Sequence, residues 1–144
     1  MLTELTFIVL ARTHPANLID VVNSPMAGDV NIFLVERQRD DGGGDELAAE
    51  AEVMIAEPQF RRSGLATEAL QLLFYYVTHV ACKPFPLRTD AIFVRIGTTN
   101  APSIALFEKL GFVRFRVNTV FEEVEMRAQS LHVKAPVAMH TWAT

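Results

Sequence analysis

The sequence predicts a mixed α/β fold in which a mostly antiparallel sheet receives its helices late in the chain. Three β-branched or alternating runs come first, at residues 6–11, 28–35 and 47–56. Residues 64–80 then carry apolar side chains at helical spacing, and residues 100–111 form a second helical segment between later alternating runs. The predicted order is three strands, one helix, one strand, one helix and two strands.

The early runs are predicted as strands that differ in their two faces. In the third run, Ala51, Val53 and Ile55 alternate with Glu50, Glu52 and Met54. Residues 36–46, between the second and third runs, are charged and contain three consecutive glycines. Such a segment buries little apolar surface, so we predict an exposed hairpin loop there, with disorder as an open alternative.

The later elements are predicted from caps and alternation. The first helix places its apolar side chains on one face, at Ala66, Ala69, Leu70, Leu73, Phe74 and Val77. The second helix begins near Asn100, whose side chain suits an N-cap, tolerates Pro102 in its first turn, and ends at Gly111.

A further strand is predicted at residues 92–96. A hairpin is predicted later in the chain, before the tail. Residues 112–117 and 120–127 are its strands, with a turn at Asn118-Thr119. Arg114 and Arg116 are placed to face Glu123 or Glu125 across it. Residues 128–144 form a tail without a clear period.

Composition narrows the class of protein. The chain has 144 residues, half of them hydrophobic, which predicts a single domain over residues 1–144. A net charge of -4 argues against nucleic acid as the main partner. Cys82 is the only cysteine, which suits a reducing compartment and excludes an internal disulfide. No run reaches the roughly 20 apolar residues of a membrane span, and no secretion signal is evident, so a cytoplasmic protein is expected.

No metal site is predicted either, because the histidines lack the spacing of metal ligands. They are His14, His79, His132 and His140.

The segment between the third strand and the first helix carries the strongest chemical signal. The amino terminus of a helix presents unpaired N–H groups, which favour an anion. Gly64 and Ala66 leave the backbone accessible, and Arg61 and Arg62 add cationic donors. The residues alone leave two interpretations equally open: a phosphate-binding loop, or solvated arginines before a glycine that merely begins a helix. Neither a dinucleotide fingerprint nor a P-loop is present.

Two motifs resemble those of the GNAT acyltransferase superfamily. Arg61-Arg62-Ser63-Gly64-Leu65-Ala66 resembles the pyrophosphate loop [R/Q]-x-x-G-x-[G/A], and residues 100–112 resemble N-x-x-S-x-x-x-[Y/F]-x-K-x-G-F. Residues 28–34, residues 52–58 and the segment from Ile96 to Ile104 further resemble the N-acetyltransferase 9-like branch. The resemblance covers roughly residues 5–127 and keeps the motifs in the family order.

This resemblance implies a sheet splayed between its third and fourth strands, with acetyl-CoA or CoA in the opening. Backbone groups of the third strand would pair with pantetheine, helix amides would hold the pyrophosphate, and Phe107 would pack beside the thioester. The implied cofactor-binding residues are Met54, Ile55, Ala56, Arg61, Arg62, Ser63, Gly64, Leu65, Ala66, Thr67, Asn100, Ser103 and Phe107.

The implied catalytic residues are fewer. Acetyl transfer to an amine is helped by a base near the acceptor, for which Glu50 and Glu52 are the candidates, although a solvated strand face without chemistry is an equal alternative. Relatives often carry a tyrosine acid where Phe107 stands, and phenylalanine has no proton to give. Ser103 is the substitute acid, unless it only caps the helix or bonds the cofactor.

The resemblance also bears on the start of the chain and on its acceptor. GNAT domains usually open with a strand and two helices before the run at residues 6–11, so we expect either a truncated domain or a homo-oligomer in which another chain covers apolar surface on the sheet. The implied function is direct acetyl transfer to an amine, with a protein N-terminus as acceptor and tubulin-type partners suggested by the branch. The alternative is a non-catalytic CoA-binding or protein-interaction remnant.

Overall fold

The predicted order of elements is confirmed. The computed structural model describes residues 3–11, 24–56, 61, 64–79 and 85–136. Its strands are β1 (Glu4–Leu10), β2 (Met26–Gln38), β3 (Asp45–Ile55), β4 (Ile92–Gly97), β5 (Phe112–Asn118) and β6 (Glu123–Ala128), and its helices are α1 (Leu65–His79) and α2 (Ala101–Lys109). A 3₁₀ turn at Thr89–Ala91 leads into β4. The predicted turn near Pro15 and the tail beyond Pro136 lie outside the described residues.

The strands form one mixed sheet, as predicted. Their order across the described sheet is β1-β2-β3-β4-β6-β5, and neighbouring strands are antiparallel except for β3 and β4. The parallel pair is short: Ala49 lies beside Ile92 and Glu50 beside Phe93, whereas β2 and β3 pair over their whole length. The sheet therefore consists of two halves, β1-β2-β3 and β4-β6-β5, joined by a narrow seam.

Both described helices pack on one face of this sheet. The core contains the inward residues of α1 and α2 together with alternate residues of the strands, and Phe74 of α1 meets Phe112 with ring centroids 5.5 Å apart. Five residues of α1 are buried, namely Ala69, Leu70, Leu73, Phe74 and Val77. Neither of these two helices has the length and apolar character needed to span a membrane.

The opposite face, called here the open face, is covered by neither helix. Its centre carries charged side chains, including Glu50, Glu52, Arg95 and Arg127. Exposed apolar side chains lie nearer its margins, at Ile8, Met54, Val113 and Phe115. The centre of this face therefore combines these charged side chains with the aromatic side chains of Phe33 and Phe93.

The hairpin between β2 and β3 corrects the loop prediction. Both strands extend into the charged region predicted as loop, because Arg37 lies opposite Glu46 and its Nε donates to Oε1 at 2.9 Å. The remaining turn, residues 39–44, is ordered by backbone hydrogen bonds from Arg39 to Gly44 and from Gly42 to Arg39. Cross-strand ion pairing thus stabilises strand structure that local composition disfavours.

The last hairpin also differs in detail from its prediction. Its turn occupies residues 119–122 rather than Asn118-Thr119, and the Asn118 side chain accepts from the amides of Val120 and Phe121. Arg116 faces Glu125 as predicted, with Nε and Oε1 3.8 Å apart, whereas Arg114 pairs with Glu108 of α2. A register irregularity between Arg114 and Arg116 separates the two arginines.

The caps of α2 were predicted correctly. The Asn100 side chain accepts from the Ser103 amide, Pro102 lies in the first turn, and Gly111 follows the helix with φ +101°. Gly111 also accepts from the amides of Gln129 and Ser130, which attaches the segment after β6 to the end of α2. A Cβ at Gly111 would lie 1.6 Å from the Ser130 carbonyl oxygen, so this position requires glycine.

Candidate functional site

A gap opens in the sheet immediately beyond the Glu50–Phe93 pair. β3 continues to Ile55 and β4 to Gly97, but the two strands pair no further. The Ala56 amide donates to Ala27 on the β2 side. Since backbone groups alternate in direction along a strand, those of Val53 and Ile55 point toward the gap and those of Met54 and Ala56 toward β2. The backbone of β3 that faces the gap is therefore that of Val53 and Ile55.

This geometry refines the prediction of strand-like pairing by Met54, Ile55 and Ala56. The backbone groups of Ile55 face the gap, and so do those of Val53, which the sequence prediction did not name, whereas those of Met54 and Ala56 face β2. Pairing of these groups with a cofactor stays a prediction. The signal for Val53 was present, because the alternation of buried and exposed side chains also fixes the alternation of backbone groups.

The amino terminus of α1 offers the donors expected of an anion site. Its first helical bond runs from the Glu68 amide to the Gly64 carbonyl at 3.0 Å. Among the described residues, nothing accepts from the amides of Leu65, Ala66 and Thr67. Gly64 has φ +80°, and a Cβ built there meets no atom within 4 Å. Within the described part of the chain, these first-turn amides of α1 have no acceptor and Gly64 has open space beside it, while Arg62 and Ser63 lie outside the described residues.

Arg61 lies at the open end of the gap. Its Nε donates to the Ile55 carbonyl at 3.0 Å, and its Nη2 donates to the Ala56 carbonyl at 3.2 Å. The guanidinium is thus held at the carboxyl end of β3, where its charge adds to the positive end of the α1 dipole.

Glu50 occupies the closed end of the gap on the open face. It lies between Phe33 of β2 and Phe93 of β4 in the sheet register, and its carboxylate is 3.8 Å from the Arg95 guanidinium. Burial raises the pKa of Glu50 above the ordinary value, Arg95 opposes the shift, and the carboxylates of Glu52, Glu123 and Glu125 add to it. A raised pKa brings a carboxylate nearer to the basicity that proton transfer from an amine requires.

Glu52 and Met54 follow Glu50 along the same face of β3, as the sequence predicted. Both side chains are exposed, Met54 to 61%. Glu52 lies opposite Asn31 of β2, one residue pair nearer the mouth of the gap than Glu50. The structure therefore separates the two candidate bases into one half-buried carboxylate at the closed end and one solvated carboxylate further out.

The residues predicted on α2 lie in different environments. Asn100 and Ser103 form the helix cap at the carboxyl end of β4, and the Ser103 side chain is half-buried. Phe107 is 3% exposed and packs edge-on against Phe112 with centroids 5.2 Å apart. Phe107 is therefore a core residue in this structure, and its contact with a thioester stays a prediction.

Two cavities lie elsewhere in the described structure, although the first of them reaches Leu65 at the start of α1. One of about 470 Å³ lies between β1 and α1 and is lined mainly by apolar side chains, among them Phe7, Leu72 and Tyr76. The other, of about 630 Å³, lies near the β2–β3 turn and includes Arg37, Arg88 and Asp90. Glu50 lines neither cavity, so the gap beyond the Glu50–Phe93 pair remains the candidate site. In the part of the chain that the structure describes, acidic, histidine and cysteine side chains form no group of three suited to a metal.

A mixed sheet whose pairing stops between β3 and β4, a helix that follows β3 and the two motifs are together the features of a GNAT acetyltransferase domain. A family model described as acetyltransferase (GNAT) domain matches residues 8–113, and the chain belongs to this family, as the motifs predicted. The chain is 41% identical over 124 residues to the mouse alpha/beta-tubulin-N-acetyltransferase 9, covering 85% of this chain and 46% of that protein. It is 34% identical to the Schizosaccharomyces pombe N-acetyltransferase 9-like protein, covering 85% of this chain and 68% of that one.

The chain spans about half the length of its mouse and human relatives, 46% and 54% respectively. Among solved structures, it is similar to Arabidopsis thaliana NAA60 in complex with acetyl-CoA, with a TM-score of 0.59 at 15% identity, covering 86% of this chain and 74% of that chain. This structural likeness supports the fold.

Proposed function

We propose that this chain is an acetyl-CoA-dependent N-acetyltransferase that transfers the acetyl group directly to an amine. One observation carries the proposal: pairing between β3 and β4 stops at Glu50, and among the described residues the first amides of the helix that follows β3 have no acceptor. Peptide-like groups of pantetheine would pair with the backbone of Val53 and with the Ile55 amide, since the Ile55 carbonyl accepts from Arg61. The pyrophosphate would accept from the amides of Leu65, Ala66 and Thr67.

Two residues of the chain are proposed to transfer the protons of the reaction. Glu50 is the proposed base, since its raised pKa and its place at the closed end suit proton removal from the attacking amine. Glu52 is the alternative base nearer the mouth. The thiolate that leaves needs a proton, and Ser103 is the proposed donor because Phe107 has no acidic proton. CoA itself supplies the activated acetyl group when bound.

The acceptor is proposed from the relatives. Proteins named alpha/beta-tubulin-N-acetyltransferase 9 in mouse and human suggest a protein amino terminus as acceptor and tubulin as its source. A cytoplasmic location is part of the same proposal.

A second candidate function is a CoA-binding domain without catalysis. The observation that favours it is Phe107, a buried core residue at the position where the family motif allows a tyrosine. Such a domain would keep the free amides of α1 and the gap but lack an efficient acid.

Calorimetric titration with CoA, followed by an acetylation assay on a peptide library, tests both functions. Heat on CoA addition together with acetylated peptides supports the enzyme. Binding without product supports the non-catalytic domain, and the absence of binding overturns both.

A further inference from the structure

The two halves of the sheet are tied together across the open face by arginines. Asp40, in the β2–β3 turn of one half, accepts from Nη1 of Arg127 on β6 of the other half at 2.5 Å. Arg116 of β5 approaches the same carboxylate, with Nη2 and Oδ1 3.5 Å apart. We call this set the Asp40 clamp. It spans β4 on the open face, beside the two residue pairs that join β3 to β4.

The clamp is well supported on the β5–β6 side. Arg127 also donates through Nε to Glu125 at 2.7 Å, and its guanidinium lies 3.4 Å from the centroid of the Phe115 ring. Its side chain is 13% exposed. Burial opposes the charge of Arg127, but its hydrogen bonds to Glu125 and Asp40 raise its pKa, so the guanidinium remains charged.

A further arginine, Arg37, makes contacts across the seam at the start of β4. Arg37 of β2 donates to the Asp90 carbonyl just before β4 at 3.0 Å, and its guanidinium lies over the Phe93 ring at 5.8 Å. Phe93 is 3% exposed and belongs to the last pair before the gap opens. The closed end of the gap is therefore fixed by polar contacts on the open face as well as by the core on the helix face.

We propose that Asp40, acting through Arg127, is a positioning residue that sets the width of the gap between β3 and β4 and thereby the fit of the acetyl donor. The inference rests on the proposed function, because the gap matters only if CoA occupies it. Only two residue pairs join the halves, so one half can rotate slightly against the other about the seam. Such a rotation changes the distance between β3 and β4 more at the open end of the gap, near Val53, than at the closed end. A ligand that pairs with one wall and approaches the other is sensitive to such a change.

The test measures gap width and CoA affinity separately. Met54→Cys and Gly97→Cys place spin labels on opposite walls of the gap, in a background with Cys82→Ser; Met54 is exposed, and a Cβ at Gly97 meets no atom within 4 Å. Asp40→Asn should increase the mean distance between the two labels and broaden the distribution of distances. Without labels, the same variant should weaken CoA binding about fivefold, the change that roughly 1 kcal/mol of coupling produces.

The matched control is Asp41→Asn in the same turn. Asp41 pairs with Arg39 at 2.9 Å and not across the seam, so its variant removes the same charge without removing the clamp. The clamp variant Asp40→Glu, which keeps the carboxylate, should restore both the label distance and the affinity. Thermal unfolding of each variant checks that the effect is not a general loss of stability.

The outcomes separate this inference from the proposed function. If the unsubstituted chain does not bind CoA, the proposed function fails, while the label distances still report on the clamp. If the chain binds CoA but Asp40→Asn and Asp41→Asn have the same distances and affinities, the positioning role of Asp40 is overturned.

Discussion

At the residue scale, Glu50 shows how the sheet changes the chemistry of an ordinary side chain. The sequence places Glu50, Glu52 and Met54 on one face of a strand, which the structure confirms. The sequence cannot rank the two carboxylates, because their difference comes from Phe33 and Phe93, which are distant in the chain and meet Glu50 only in the folded sheet. Burial between these strands distinguishes Glu50 from Glu52.

Replacing Glu50 tests its role as the base. Glu50→Gln should lower kcat by about a hundredfold, the lower end of what a general base contributes, while CoA affinity stays unchanged. Glu52→Gln is the matched control on the same face and should change kcat little. Steady-state kinetics with acetyl-CoA measure both, and equal rates for Glu50→Gln and the parent would remove Glu50 from the mechanism.

The pH dependence of Glu50 follows from its raised pKa. Activity in the parent should rise with pH through a pKa above the glutamate reference of 4.5, because the base works as the carboxylate. For stability, the folded pKa lies above the unfolded value, so this residue's favourable contribution is present at low pH and is lost as pH rises through the folded pKa. Thermal unfolding should therefore show that Glu50→Gln is no less stable than the parent at neutral pH.

At the element scale, the periodic elements follow from sequence and their ends do not. The spacing in α1 and the caps of α2 were readable because they depend on residues within one turn of the chain. The extension of β2 and β3 depends instead on Arg37 meeting Glu46 across the hairpin. The pairing of Arg114 with α2 depends on a register irregularity in β5 that no local sequence pattern predicts.

Replacing Gly64, at the start of α1, tests whether this helix terminus binds the cofactor. Gly64→Val should weaken CoA binding at least tenfold, since a branched side chain would enter the open space before the free amides; it should also lower stability by about 1–2 kcal/mol because φ is positive. Calorimetric titration and thermal unfolding measure the two effects.

Gly42→Val is the control for the backbone cost. Gly42 has φ +75° in the β2–β3 turn, and a Cβ there also meets no atom within 4 Å. This variant should lose similar stability and keep its CoA affinity. If both variants bind CoA like the parent, the start of α1 has no part in cofactor binding.

At the scale of the whole molecule, the site exists because two half-sheets meet without completing their pairing. Each half is well paired internally, and α1 crosses from the end of β3 toward the entry to β4 on the helix face. The gap was predicted from the family motifs, since no residue pattern within β3 or β4 shows where their pairing stops. The cluster of charged side chains on the open face was not predicted, because it is assembled from β3, β4 and β6 together.

A ligand that contacts both the end of β3 and the start of α1 should stabilise the folded molecule as a unit. At a CoA concentration 100 times its Kd, linkage gives about 2.7 kcal/mol, or a rise in Tm of roughly 8 °C for a chain of this size. Pantetheine lacks the pyrophosphate, so at equal concentration it should raise Tm much less. Differential scanning fluorimetry compares the two ligands in the parent, in Gly64→Val and in Gly42→Val. Equal shifts for CoA and pantetheine would show that the free amides of α1 do not bind the pyrophosphate, whereas a CoA-specific shift lost in Gly64→Val alone places that group at the first turn of the helix.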